Sequence, residues 1–408
     1  MQTFGRFLVS LVAASSLAAG APKESFPSKN GKFSITAKHN VNFERNGPLA
    51  LAKAYNKLDK PVPQDIADAV TRIQQKRETG SVTNTPNKHD QAYLAPVQIG
   101  TPPQTLDLIF DTGSADFWVF SNETASNEVK GQIPYDPKKS STSKRMSGAS
   151  WSIEYADNGT GVSGDVYTDI VTVGGLSVKS QAFASAKKIS AYLSKSLAAS
   201  GVLGLAFSKA NRIKPQKQQT FFDNAKATLD APLFTVDLKH QADGKYNFGY
   251  IDSSAHTGPI AYTSVDSTIG GWGFTSPGFA VGDGSFTNLS ISGIIDTGAT
   301  LLLLPDNVVM AYYSKVKGAS YDESERGYTF GCSTTLPSFS FWVGNSTITI
   351  PGSYMNYQAT DDSGKTCFGG LQSSSGYGVS IFGDIALKAA FVVFDAGNNR
   401  LGWAAKNL

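Results

Sequence analysis

Phe110-Asp111-Thr112-Gly113-Ser114-Ala115-Asp116-Phe117-Trp118-Val119 sets an acidic residue and a glycine inside an apolar run. The chain repeats the arrangement 185 residues later as Ile294-Ile295-Asp296-Thr297-Gly298-Ala299-Thr300-Leu301-Leu302. One Asp-Thr-Gly carries little weight, since average composition yields about 0.1 such tripeptides in a chain of this length. Two copies in the same apolar frame are a different matter. An Asp between apolar strand residues has little water around it, so its ionised form needs hydrogen bonds. The following Thr and Gly supply a hydroxyl, backbone N–H groups and a turn without a side chain. If the two loops face each other, two carboxylates share one site, and like charges that close leave one protonated and the other ionised. Such a pair is an acid and a base, suited to activating water against a carbonyl. The plain alternative is that each Asp only caps a turn.

Both loops resemble the catalytic loops of the pepsin family of aspartic endopeptidases, and within it the secreted fungal enzymes of the penicillopepsin and aspergillopepsin kind. The resemblance runs from about Tyr93 to Trp403. It implies an all-β, bilobal acid-protease fold with the cleft between two pseudo-repeated lobes, and Asp111 and Asp296 as the catalytic pair. Thr112, Gly113, Ser114, Thr297 and Gly298 support the pair, with the Ser114 hydroxyl bonding the outer oxygen of Asp111. Tyr155 matches the tyrosine of a mobile flap, Asp157 an acidic residue beside the first pocket, and Trp118 a tryptophan that meets the flap tyrosine. Thr300 joins the substrate-binding set. Cys332 and Cys367, the chain's two cysteines, match a family disulfide, and in a secreted protein two cysteines so placed are expected to pair. No cofactor is implied. The partners implied are protein and peptide substrates, the chain's own leader as an intramolecular inhibitor, and pepstatin-like inhibitors.

The rest of the chain fits this plan. Its 408 residues exceed one compact core and suit a leader plus two lobes. Forty glycines with only 17% charged residues favour sheets and tight turns over helical bundles. Residues 1–20 read as a signal peptide: Arg6, a short apolar run, then small residues at Leu17-Ala18-Ala19-Gly20. Residues 21–77 are basic, with 11 Lys+Arg against 5 Asp+Glu, whereas 78–408 hold 24 basic and 28 acidic side chains. A basic leader on an acidic body reads as a propeptide held partly by charge, or as a solvated basic linker. The resemblance favours the propeptide, with Leu49–Leu58 as its inhibitory part and Lys57 or Lys53 reaching the aspartates. Lys76-Arg77 offers a dibasic processing site. The lobes are expected at 78–253 and 254–408, in a secreted, extracellular monomer that binds no nucleic acid and has no membrane anchor.

Strands are expected at Tyr93–Ile99 and Thr105–Phe110, a hairpin over Trp151–Ile170, and helices at Thr220–Leu229 and Pro305–Lys317. Val202-Leu203-Gly204 and Ile381-Phe382-Gly383 form a second repeated pair, ending 93 and 87 residues after their aspartates. The four histidines, at 39, 89, 240 and 256, have no metal-ligand spacing and no nucleophile elbow accompanies them, so no metal site is expected. Asn122, Asn288 and Asn345 begin glycosylation sequons; Asn158 does too, but on the flap it is expected to stay bare. One departure stands out: Ala299 occupies a position where most of the family has a hydroxyl. Without that donor the ionised dyad loses a hydrogen bond, which implies an acidic optimum less extreme than pepsin's. A peptide-binding protein without turnover and a glycosidase with paired carboxylates are the competing classes. The first is at odds with two intact Asp-Thr-Gly motifs, the second with the flap and the leader.

Overall fold

A computed structural model describes residues 31–40, 45–79, 93–154, 161–190, 193–194, 197, 199–361 and 363–408. Residues 1–20, read above as a signal peptide, and Tyr155, Asp157 and Asn158 lie outside the described residues.

Alternation of apolar and polar side chains drives the first strands after residue 92. Tyr93–Ile99 buries every second residue and pairs antiparallel with Gln104–Asp111, Leu94 opposite Ile109 and Ile99 opposite Gln104. The turn between them needs Gly100, whose φ of +90° is open to few other residues. Asp111 is thus the last residue of a strand whose preceding residues are anchored in the core. Leu203 then runs parallel beside Phe110, and the strand Gly201–Gly204 is flanked on its other side by Phe117–Phe120. The second half repeats this. Ile381 lies parallel to Ile294, and the same strand pairs antiparallel with Leu302–Leu304. Each Asp-Thr-Gly loop is therefore pinned by an apolar-apolar strand from a distant part of its own half, as the two repeated sequence pairs suggest.

Among the described residues three sheets carry these strands, of 14, 7 and 4 members. The all-β expectation holds. The large sheet joins the two halves: Leu233–Lys239 and Ala242–Phe248 form a central hairpin, and the C-terminal strands Phe391–Asp395 and Arg400–Ala405 return to its edge. Phe234 stacks on Phe394 at 4.6 Å in this shared core, with Trp272 edge-on to both. The small sheet holds the Cys332–Cys367 disulfide, which links residues 35 apart. Closing a loop of that length accounts for about 4 kcal/mol in the chain-entropy picture.

The helices differ from expectation at their ends. The first begins at Thr220, whose hydroxyl accepts from the Asp223 N–H, but only Phe221–Ala225 is α-helical before a 3₁₀ turn takes over. The second covers Asp306–Tyr313 and stops short of Lys317. There Lys315 and Val316 bond back three residues, which tightens the last turn while Val316 stays buried. The Trp151–Ile170 hairpin forms with Trp151 opposite Gly164 and Glu154 opposite Gly161, and its far strand extends to Val173.

The described part of residues 21–77, expected above to be a charge-held leader, also inserts into the sheet and packs on the core. Its strand β1 (Phe33–His39) buries Phe33, Ile35 and Ala37 and hydrogen-bonds in register with Ala242–Phe248, Phe33 opposite Phe248. Helix α1 (Gly47–Lys57) follows, its N-terminus capped by the Asn46 side chain on the Leu49 N–H. Its apolar stripe of Leu51, Ala54 and Tyr55 faces the body. Tyr55 stacks on Tyr377 at 3.9 Å and donates to the Ser375 carbonyl, while Tyr377 donates to the Leu51 carbonyl. Those contacts set the rotation of α1 and hence the aim of its last residue, Lys57. Helix α2 (Gln64–Thr79) runs on from there, carrying Lys76 and Arg77.

Candidate active site

The two loops meet back to back through their threonines. The Thr112 N–H donates to the Thr297 hydroxyl and the Thr297 N–H to the Thr112 hydroxyl, both at 3.0 Å. Each hydroxyl then donates to a carbonyl of the opposite strand, Thr112 to Ile295 at 2.9 Å and Thr297 to Phe110 at 2.7 Å. Every polar atom in this cross-brace is paired away from water, so it fixes the spacing of the loops with little slack. The glycines make the approach possible. A Cβ at Gly113 would lie 2.4 Å from the Asp296 carboxyl carbon, and one at Gly298 would lie 2.6 Å from Oδ1 of Asp111.

Asp111 and Asp296 are both buried, at 4% and 0% exposure, and both carboxylates reach one cation. Lys57 Nζ lies 3.0 Å from Oδ1 of Asp111 and 2.7 and 2.9 Å from the two oxygens of Asp296. Of the two lysines suggested by the sequence, Lys57 makes these bonds. Lys53, one turn earlier, lines the same cleft, and burial together with the Lys57 charge lowers it to about 8. Burial works against the charge on Lys57, but the two carboxylates hold its ammonium above the ordinary lysine range.

The two aspartates have matching inner bonds and different outer ones. The Gly113 and Gly298 N–H groups each donate at 2.9 Å to the Oδ1 of their own Asp. On the outer side the Ser114 hydroxyl donates to Oδ2 of Asp111 at 2.5 Å, whereas Ala299 has nothing to give Asp296. Burial pushes both carboxyls up. Lys57 and Ser114 overcome it at Asp111 and hold that group below the usual range. At Asp296 burial wins over Lys57, helped by the charge of Asp111, and the group is held above the usual range. With Lys57 bound, the two carboxyls are thus shifted in opposite directions, Asp111 toward its ionised form and Asp296 toward its protonated form.

Around the dyad an apolar cavity of about 160 Å³ opens beneath α1, with Ile109, Trp118, Ile153, Leu193 and Thr300 among its walls. Trp118 is buried with its ring 6.1 Å from that of Trp151 at the base of the hairpin. The Thr300 hydroxyl is 3.1 Å from the Tyr357 hydroxyl. Tyr357 had no sequence signal, and neither had Arg45, which lies over its ring at 4.8 Å and donates to its carbonyl. Both depend on contacts across more than 300 residues, which no local pattern reports. Asn122, Asn288 and Asn345 are exposed, and the Asn122 amide donates to the Asp136 carboxylate. Among the described residues no group of three or more His, Cys, Asp or Glu is placed to hold a metal. Nor is any described helix long and apolar enough to cross a membrane.

Known proteins agree with this geometry. Residues 92–406 match the model of the family described as eukaryotic aspartyl protease. The chain is 54% identical over 381 residues to endothiapepsin of Cryphonectria parasitica, covering 92% of this chain and 91% of that one. It is 51% identical to aspergillopepsin-1 of Aspergillus oryzae, with 89% of each chain covered. Against penicillopepsin-3 of Penicillium janthinellum the identity is 44%, over 99% of this chain and all of the other. With two Asp-Thr-Gly loops braced face to face in an all-β frame, the chain belongs to the eukaryotic aspartyl proteases and, within them, to the fungal pepsin-like enzymes.

Proposed function

We propose that this aspartic peptidase is made as a secreted zymogen and cleaves proteins internally in acid, using Asp111 and Asp296 as its catalytic pair. The observation that carries the reading is the pair of carboxylates from equivalent loops bound to one ammonium ion, Lys57 Nζ. In the active enzyme a water takes the place of that ammonium. Asp111, kept ionised by Ser114, removes a proton from the water as it attacks the scissile carbonyl. Asp296, kept protonated by burial and by the absence of a hydroxyl at 299, donates to the carbonyl oxygen. The second proton transfer, to the leaving amine, completes hydrolysis without a covalent intermediate. Thr112, Gly113, Thr297 and Gly298 hold the two groups in register; Trp118, Thr300, Tyr155 and Asp157 belong to the substrate cleft. The apolar lining beside the dyad favours large apolar side chains next to the scissile bond.

In this reading residues 1–20 direct export, 21–77 form the inhibitory leader, and the lobes comprise 78–253 and 254–408 of a monomeric, glycosylated enzyme. Lys57 occupies the dyad until acid weakens its carboxylate partners. Asp111 is held below its ordinary value, so its contribution to the closed form is present above the ordinary carboxylate range and is lost as pH falls through the lowered value. Activation therefore belongs to acid. The test is the pH–rate profile on a denatured protein after acid incubation, with and without pepstatin. Pepstatin-sensitive cleavage confined to acid supports the reading. No cleavage at any pH, once the leader is shown to be gone, would mark a peptide-binding protein instead.

A further inference from the structure

Beyond the dyad the cleft widens into a cavity of about 760 Å³ that runs from Gly113 and Ser114 past Arg212 to Lys214 and Lys217. The leader enters it directly after Lys57. Asp59 turns the chain with φ +55°, its N–H closing the end of α1 on the Asn56 carbonyl. Its carboxylate meets the Arg212 guanidinium, Oδ1 to Nη2, at 2.5 Å.

Arg212 is mounted on the catalytic loop itself. Its Nη1 lies 3.5 Å from Asp116 Oδ2, and its backbone N–H donates to Asp116 Oδ1 at 2.8 Å. The Asn211 amide donates to the same oxygen at 3.0 Å. Asp116, 2% exposed, follows Asp111 by five residues in the stretch that forms the dyad loop. One side of the guanidinium is therefore anchored to buried protein, and its Nη2 meets the Asp59 carboxylate in the cleft, a geometry suited to a carboxylate. The surroundings reinforce the sign. Although residues 78–408 are net acidic, Arg212, Lys214 and Lys217 outnumber Asp116 among the described charged side chains that the body contributes to this cavity.

We propose that Arg212 is a specificity-determining residue, forming a subsite for an acidic substrate side chain in the place that Asp59 holds in the leader-bound form. The inference rests on the proposed catalytic pair, because it treats the leader as occupying the substrate's path past Asp111 and Asp296. The acidic residue sits within a few positions of the scissile bond, on the side where the cleft passes Ser114 and Trp151. Arg212 is about one-fifth exposed and Asp59 about two-thirds, so solvent screens the pair and the preference is moderate rather than absolute.

The test uses the full chain, activated by acid or by a dibasic-specific protease, on quenched fluorescent peptides. These differ only in Glu, Gln or Lys at each of three positions on either side of the cleavage point. At about pH 5.5, where Glu is ionised, kcat/KM for Glu over Gln is expected to be about 10-fold at one position, through KM, and to shrink in salt. Arg212→Gln brings that ratio to near one, Arg212→Lys retains part of it, and Arg212→Glu turns the preference toward Lys. Because each ratio is taken within one variant, it does not depend on how much of that variant folds. A flat response at every position, or a Glu preference unchanged in Arg212→Gln, would overturn the inference and leave Arg212 as a latch for the leader. Absence of pepstatin-sensitive turnover of every peptide would instead overturn the catalytic reading and this inference with it.

Discussion

The two Asp-Thr-Gly loops share a backbone and differ in one hydroxyl. Thr112 and Thr297 exchange equivalent bonds, Gly113 and Gly298 donate equivalently to their aspartates, and each loop is pinned by a parallel strand of its own half. At the next position the symmetry ends, with Ser114 on one side and Ala299 on the other. The contrast separates what positions the carboxylates from what charges them. Symmetric backbone bonds position them. The Lys57 charge and the Ser114 hydroxyl pull Asp111 down, while burial and the neighbouring Asp111 push Asp296 up.

Removing either carboxylate tests whether both halves are needed. Asp111→Asn and Asp296→Asn are each expected to lower kcat by about 10⁴-fold or more, and the double variant by little beyond that, because the two act as a unit. Single-turnover assays on activated protein measure this. Residual activity in one single variant near the wild-type level would break the equivalence of the loops.

The next largest effect falls on the closed form. Lys57→Met deletes the ammonium bonded to both aspartates, and losing about 1.5–3 kcal/mol of charge-assisted bonding to each leaves the leader held roughly 10²-fold less tightly or worse. The variant is expected to lose its leader near neutral pH, read by gel mobility over time. The wild-type chain should do so only in acid, because its paired Asp111 must first be protonated.

Thr112→Val and Thr297→Val probe the brace. Each strands a buried N–H and a buried carbonyl of the facing loop, at about 2–4 kcal/mol, and the symmetry predicts equal losses measured by denaturant unfolding. Unequal losses would show that one loop leans on the other.

The smallest effect sharpens the comparison most. Ala299→Thr offers Asp296 the donor it lacks, and the alkaline limb of the kcat/KM profile is expected to move down by about 0.5–1 pH unit. Ser114→Ala removes the donor from Asp111 and should move the acid limb up by a similar amount. Because the pair titrates together, the shifts belong to the dyad and not to one residue. An unmoved limb in both variants would separate the hydroxyls from the charge asymmetry.

Much of this molecule was legible in its sequence because its signals are local or repeated. The Asp-Thr-Gly duplication, the apolar-apolar-Gly partners and the period-two strands each follow from what a short segment does to satisfy its own backbone and bury its own side chains. The basic charge of residues 21–77 is a local signal too, whereas a lysine at 53 or 57 reaching the aspartates was implied by the family resemblance. Helix ends were less legible. Pro305–Lys317 has helical periodicity throughout, yet the chain after Tyr313 tightens so that Val316 can reach the core.

Other features were decided by the tertiary structure alone. The choice of Lys57 over Lys53 depends on the rotation of α1, which Tyr55 and Tyr377 set across more than 300 residues of sequence. The strand β1 exists because Ala242–Phe248 presents an edge for Phe33, Ile35 and Ala37 to complete; charge composition describes the leader's attraction but not its insertion into a sheet. The opposite shifts of Asp111 and Asp296 need burial, the nearby Lys57 charge and each other's proximity, all of which exist only once the chain is folded. Arg212 and Asp59 likewise lie 153 residues apart and meet only in the folded cleft. Sequence determines what each loop can offer. The fold determines which groups are brought close enough, and kept dry enough, for the offer to matter.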